Sequence, residues 1–512
     1  VLLTLSGYFY FPGHTYLQSD TQIYVPIFEH LRDPGLFARE MIAVRPHVGL
    51  TIYDDVALLL RRLTGLDFAL ILQAQQLLFR LVGVWGAFLI AAACGLARVP
   101  SLLVAGLIGL GATINGPAVL TFEYEPVPRG YAVLLLLAAW GLALWQRPQA
   151  SAALGTLAAL YQAPMALPFW ALYAPYLLWT RRWRALAWPV AGLALLVALT
   201  QLSPSGNEHP VFTVLDAEWE RLQRLRAAYN WLSLWRPEFF WSYALQAVVV
   251  AAAAWRLRAV ETLVERLLLL GLPAFGLLSL PFSYLTMERA KWALMAQVQP
   301  ARAVLFLTLA VTVWSVWAAS REPFARAALW LVPAFMIPVY TGLWPDAAWP
   351  KAITVAGGAL LGAAVLQRRW TWAVPVLMVL ASVATVEWAG VRNYPPLHHA
   401  ELDDVAVWAR ANTPRDAVFL FPKAGRDLSQ GVFRVRAQRA LYVDWKGGGQ
   451  VNYFRGLAVE WWEKWKDVTT GGHAPAYWRS KGVDFLIYPA RQAPPGWPVA
   501  YANARYAVVA LN

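Results

Sequence analysis

Residues 147–184 read RPQASAALGTLAALYQAPMALPFWALYAPYLLWTRRWR: an apolar run with Arg147 at one end, Arg181, Arg182 and Arg184 at the other, and Pro164 and Pro168 near its middle. One helix crosses the hydrocarbon of a bilayer in about 20 residues, and this run is far longer. Proline has no N–H to donate and crowds the carbonyl four residues back, so the run is either one kinked helix or two short ones, 152–162 and 165–179, meeting at a turn. The choice decides the topology. Only two spans here keep the Arg-bearing short loops on one side of the membrane, the distribution that insertion imposes.

Working outward, the same length criterion gives about thirteen transmembrane helices. The first, 1–11, is too short to span, and the sequence is expected to begin inside it. The others are 81–96, 102–118, 131–145, the two above, 186–202, 239–255, 263–282, 303–318, 327–342, 353–366 and 373–388. Loops 96–100, 146–150, 180–186, 255–262, 319–326 and 367–370 hold eleven Arg against two Glu, whereas the short loops opposite hold few cations, such as Arg129 and Lys351. That asymmetry puts the N-terminus in the cytoplasm and four pieces outside: 14–65, 203–236, 283–302 and a tail from Gly390. In the tail a helical stretch, 401–411, alternates with strand-like runs at 417–421, 440–443, 484–488 and 506–511, the pattern of an α/β domain. The expected fold is a polytopic α-helical membrane protein, 1–389, followed by an extracytoplasmic α/β domain, 390–512.

Composition agrees with this division. The chain is 59% hydrophobic and 14% charged, whereas a soluble domain carries about 25% charged residues. Of the formal +13, the inner loops supply +9 and the tail +6, while 14–65 and the remainder are each −1. Most of the excess is therefore an insertion signal, and a nucleic-acid partner is not implied. The single Cys94 excludes a disulfide and a cysteine metal site. Neither a Walker A sequence nor Gly-x-Gly-x-x-Gly, His-Glu-x-x-His or Gly-x-Ser-x-Gly occurs.

Chemistry is to be sought among the outer ionisable groups. The first loop holds His14, Asp20, Glu29, Arg45 and His47, and apolar residues at helical spacing over 23–31 and 56–63 read as helices lying on the membrane surface. Ser19 or Asp20 is placed to cap the first of these, and Asp54 or Asp55 the second; a carboxylate fixed at a helix start is also a positioned base. In TFEYEPVPR, 121–129, the prolines favour extended backbone, so Glu123 and Glu125 should converge on one side. Such a pair could hold a divalent cation, Mg2+ or Mn2+, through oxygen ligands, or one member could act as a base. Arg302, Arg129 and Arg80 are candidates to meet a phosphate, against the ordinary reading that boundary arginines snorkel. Gly447–Gly449 reads as a flexible loop, and the Trp-rich 460–466 as an interfacial anchor or small core.

With YLQSDTQIY at 16–24 directly after the first helix, the whole arrangement resembles the GT-C superfamily of integral-membrane glycosyltransferases, which includes oligosaccharyltransferase catalytic subunits, protein O-mannosyltransferases and bacterial aminoarabinose transferases. The resemblance implies that Asp20 is catalytic and that Glu123 and Glu125 form the second acidic motif, a metal site in some members. It implies transfer of a sugar from a polyprenyl-phosphate donor to a glycan, lipid or protein acceptor, at the outer face of a bacterial inner or plasma membrane whose lipids surround the enzyme. Asp20 is followed by Thr21 rather than a second acid, and the tail has no Trp-Trp-Asp-Tyr-Gly, which disfavours transfer to Asn. The chemistry asks for a base or metal-held carboxylate, Asp20, and for cations on the leaving phosphate, Arg302 or Arg129. The competing reading is a catalytically inactive membrane scaffold or assembly subunit, which would keep the same architecture. A transporter should instead show paired broken helices and intramembrane charges.

Overall fold

The structure, a computed structural model, describes residues 1–47, 50–202, 209–258, 260–341, 348–368, 370–389 and 397–511. Among these, seven helices of 19–32 residues are long and apolar enough to cross a membrane, and four shorter apolar helices accompany them. Two of the seven, Trp183–Gln201 and Pro237–Leu257, bury only 17% of their apolar window inside the protein, leaving faces that lipid, not water, must cover. The chain is an integral membrane protein.

The order begins with α1 (Leu2–Phe9), α2 (Thr21–Arg32), α3 (Tyr53–Thr64), α4 (Phe68–Ala93), α5 (Arg98–Gly109), α6 (Pro128–Leu144) and α7 (Pro148–Trp179). A short antiparallel hairpin, β1 (Thr113–Ile114) with β2 (Val119–Leu120), leads into the acidic turn before α6. α7 is two helices rather than one kinked helix: it doubles back at Gln162, where the backbone turns to φ −158°, ψ 87°. Its halves run antiparallel: the Trp170 indole donates to the Gly155 carbonyl at 3.0 Å, and the Tyr176 hydroxyl reaches Gln146 at 3.3 Å. Pro164 cannot donate to Leu160, and that carbonyl instead accepts the Ile52 N–H at 3.0 Å, while Thr51 Oγ1 donates to the Tyr161 carbonyl at 2.8 Å. A Cβ on Gly155 would lie 2.8 Å from the Phe169 ring, so glycine lets the halves meet.

Arg-bearing loops gather at one end. Residues 95–100 line one cleft there with Trp317, Ser320, Arg321, Leu366 and Thr371, and the buried Glu322 pairs with Arg256 at 3.0 Å and Arg326 at 3.7 Å. The centre of the bundle is Leu305–Ala319, every residue of which is buried, as an all-round apolar sequence requires.

Residues 397–511 fold on a five-stranded sheet of β3 (Val418–Leu420), β4 (Ala440–Leu441), β5 (Phe485–Pro489), β6 (Val499–Ala502) and β7 (Tyr506–Ala510), in the order β4-β3-β5-β7-β6. β4, β3 and β5 are parallel and β7 and β6 antiparallel, with Ala400–Asn412, Ser429–Ala437 and Arg455–Thr470 as the main helices. This unit docks on the first loop, which corrects one expectation. α2 does not lie on the membrane surface: eight of its twelve residues are buried, because Ser429–Ala437 packs on it so closely that a Cβ on Gly431 would fall 2.0 Å from the Gln22 amide oxygen. The dock is held by a buried charge cluster: Arg434 meets Asp444 at 3.2 Å and Glu40 at 3.6 Å, and donates to the Gln22 carbonyl at 2.8 Å. Paired and hydrogen-bonded, these charges are tolerable inside; singly they would not be.

Candidate active site

The first turn of α2 should leave backbone N–H groups unpaired, and an Asp at its start ordinarily satisfies them. Here another residue does so. Glu125, from the acidic turn, accepts the N–H of Ser19 at 2.9 Å, of Asp20 at 2.8 Å and of Thr21 at 3.2 Å, and the Thr21 hydroxyl as well. Neither Ser19 nor Asp20 caps the helix, contrary to the sequence expectation, and the Asp20 carboxylate is left free to face a cavity.

Two cations meet Asp20. Arg129, in the first turn of α6 after the N1 residue Pro128, donates to Oδ2 at 2.6 Å and with its Nε to Glu123 at 2.6 Å. Lys446, from the docked unit, donates to Oδ1 at 2.7 Å and to Ser19 Oγ at 2.5 Å. Burial by itself would raise Asp20, but Lys446 and then Arg129 outweigh it and hold the carboxyl well below the usual range. The cavity, of about 210 Å³, is closed by α2, the turn at Gln162, the start of α6, Arg226 at the end of α9 (Ala217–Arg226, after α8, Ala187–Leu202), and the segment around Arg302. Gln299, at φ +53°, and Pro300 break the helical run before Arg302 and bring it to the cavity edge. Arg226 is held by the Trp445 carbonyl at 2.9 Å and Arg302 lies 5.8 Å from the Tyr229 ring centre. Among the described residues neither guanidinium has a carboxylate within ion-pair distance. Tyr24, Tyr229 and Tyr453 complete the wall.

Other sequence candidates are dispersed. Of the first-loop group besides Asp20, only His47 lines the cavity, accepting from Gln450 at 2.9 Å; burial lowers its imidazole to about 4. His14 stacks on Tyr8, Glu29 pairs with Arg32 at 2.6 Å, and Arg45 pairs with Glu460 at 2.8 Å, all away from Asp20. Arg80 donates to the carbonyls of Gly7 at 3.2 Å and Glu123 at 2.8 Å, a backbone clamp that does not line the cavity. Residues 121–125 bend instead of extending, and Glu123 and Glu125 take different partners. With Glu125 taken up by the helix start, Glu123 by Arg129 and the Leu120 N–H, and Asp20 by two cations, the donor set does not fit a divalent cation. Among the described residues no cluster of three His, Cys, Asp or Glu is placed to hold one.

The sequence reading missed Lys446, Arg226, Gln162 and the three tyrosines. Lys446 had a signal. It directly precedes Gly447–Gly449, which is no flexible loop: a Cβ on Gly448 would stand 2.5 Å from the Trp461 ring and one on Gly449 2.4 Å from Ile23 of α2. The glycines let the turn wedge between those walls and carry Lys446 to Asp20.

Residues 400–468, the stretch that includes Lys446, match a family model described as a domain of unknown function, DUF6798. No curated protein matches the sequence. Among solved structures the chain is similar to the crystal structure of ArnT from Cupriavidus metallidurans in the apo state, with 14% identity and a TM-score of 0.44 over 100% of this chain and 96% of that one.

Proposed function

We propose that the chain is a membrane glycosyltransferase that moves a sugar from a polyprenyl-phosphate donor to an acceptor hydroxyl, working at the face opposite the Arg-rich loops, the extracytoplasmic one by charge asymmetry. One observation carries the reading: among the described residues the cavity is lined by one carboxylate, Asp20, and its other charged groups are cations, Arg129, Arg226, Arg302 and Lys446. A neutral sugar does not call for that surplus; a phosphate leaving group does. The acceptor oxygen attacks the anomeric carbon and gives its proton to Asp20, the electron pair of the broken bond passes to the phosphate oxygen, and Arg302 and Arg226 neutralise the growing charge. The tyrosines offer faces and hydroxyls to the sugar. No step is assigned to a metal.

The test is release of polyprenyl phosphate from a panel of polyprenyl-phosphate sugars by the purified protein in nanodiscs. Asp20→Asn is expected to lose at least 1,000-fold, of the order expected when a base is removed, with membrane level unchanged. Full turnover by that variant would sink the assignment. The inactive-scaffold reading keeps one observation in its favour: both Asp20 oxygens are occupied by cations, at 2.6 and 2.7 Å, which leaves the resting carboxylate a weak base.

A further inference from the structure

We propose that Lys446 is the exchangeable cation of this site, masking Asp20 in the resting protein and moving to the donor phosphate when it binds, so that the docked C-terminal unit supplies part of the reaction centre. The inference rests on the glycosyl-transfer reading and removes its main difficulty. A carboxylate with both oxygens covered cannot take a proton from an incoming hydroxyl until one cation leaves.

The two cations differ in their freedom to go. Arg129 is planar and doubly tied, Nη1 to Asp20 and Nε to Glu123, both at 2.6 Å, so moving it would strand a second carboxylate that is only 4% exposed. Among the described residues Lys446 has no second acid within ion-pair distance. Its remaining acceptor is the neutral Ser19 hydroxyl, it carries three donors of which two are used, and four rotatable bonds let the ammonium swing while its backbone stays fixed. The backbone is fixed at both neighbours: the Trp445 carbonyl accepts from Arg226 at 2.9 Å, and Asp444 accepts the Gly447 N–H at 2.6 Å and is gripped by Arg434, which reaches Gln22, two residues from Asp20. A short motion of one side chain therefore exchanges partners without moving the fold.

When a phosphate enters, the Lys446 ammonium pairs with it and Asp20 Oδ1 is exposed. The acceptor O–H proton passes to Oδ1, the acceptor oxygen bonds the anomeric carbon, and the bond from that carbon to the phosphate oxygen breaks with its electron pair on the phosphate. Arg129 stays on Oδ2 and keeps the carboxylate oriented.

Equilibrium binding of labelled undecaprenyl phosphate, without sugar, to the full chain in detergent micelles tests this. Asp20→Asn is expected to bind at least fivefold tighter, because the ammonium no longer has to be detached from a carboxylate, and Lys446→Met at least tenfold weaker. In the double variant the gain from Asp20→Asn should vanish, a non-additivity that simple removal of negative charge would not give. Unchanged binding by Lys446→Met, or an equal gain with and without Lys446, overturns the proposal; matching melting curves guard against misfolding. Sugar transfer by the same preparations separates the two claims. The expected binding pattern with no transfer by the wild type supports cation exchange and removes the glycosyltransferase reading, whereas transfer with an unaltered donor KM in Lys446→Met does the reverse.

Discussion

Glu125 accepts the backbone N–H of Asp20 at 2.8 Å across 105 residues of sequence, and so caps the helix that Asp20 itself would be expected to cap. The division of labour explains how a carboxylate at a helix start can serve a cavity: another carboxylate satisfies the N–H groups and faces the positive end of the helix. Glu125→Ala leaves the Ser19, Asp20 and Thr21 N–H groups without that acceptor and should lower stability by about 1–3 kcal/mol. Glu125→Gln retains an acceptor oxygen and should lose less. Thermal melting of detergent-solubilised protein orders the three, and turnover should fall in the same order, because the Asp20 side chain is aimed by this cap.

The pH profile follows from the same cations. Asp20 lies well below its usual range because Lys446 and Arg129 outweigh burial. A depressed carboxyl stabilises the fold above its unfolded value of about 3.9, and that contribution disappears only as pH falls through the depressed folded value. His47, held near 4 by burial, is neutral in the folded protein between pH 5 and 8. Between pH 5 and 8, therefore, kcat/KM should show no limb from either group, whereas the contribution of His47 to the melting temperature should fall as pH drops below about 6.5, where its unfolded imidazole takes up a proton that the folded one does not. Lys446→Met should bring an acid limb of kcat/KM upward. A histidine-like limb near pH 6.5 in the wild-type kcat/KM would contradict the arrangement.

The mostly helical, membrane-spanning character of the chain was legible because it follows from local rules. Pro164 must strand the Leu160 carbonyl whatever surrounds it, and apolar runs of membrane length declare themselves without reference to tertiary contacts. β3 and β5 were legible as short apolar runs, whereas β6 was not: it is an edge strand with three of its four residues exposed, and such a strand lacks the apolar signal that marks a core one. Asp20 was legible from its place after the first helix, but its release from capping was not, since the replacement arrives from a distant turn. Lys446 was hidden for a related reason. A run of three glycines looks mobile in sequence, and only the Trp461 ring and Ile23 on either side show that it is a close fit.

Docking of the C-terminal unit is open to a direct test at Gly431. Its missing Cβ would lie 2.0 Å from Gln22 Oε1, so Gly431→Val must push Ser429–Ala437 off α2 and draw Lys446 away from Asp20. Arg434→Met attacks the same interface from inside, leaving Glu40 and Asp444, 1% and 2% exposed, without their cation, at a loss of about 3–5 kcal/mol. Both variants should make residues 400–511 more accessible to limited proteolysis and lower donor affinity, while the helices of the membrane part remain protected. Protease resistance equal to the wild type in both would show that the interface does not hold the unit in place.

Asp54 offers the opposite pH behaviour from Asp20. It sits in the first turn of α3, 8% exposed, with its Oδ1 lacking a hydrogen-bond partner among the described residues, and burial, helped by Asp55, raises its carboxyl to about 7. A raised acid favours the fold when protonated, so its ionisation weakens the protein progressively from about pH 4, the unfolded value, up to about pH 7. Asp54→Asn keeps the shape and removes the charge. The variant should match the wild type at pH 4 and exceed it at pH 8, by up to roughly 4 kcal/mol if the full shift of about three units is realised. Melting temperatures at pH 5 and pH 8 decide it: a gap between variant and wild type that widens with pH is expected, and a gap independent of pH would mean that Asp54 is charged in the folded protein.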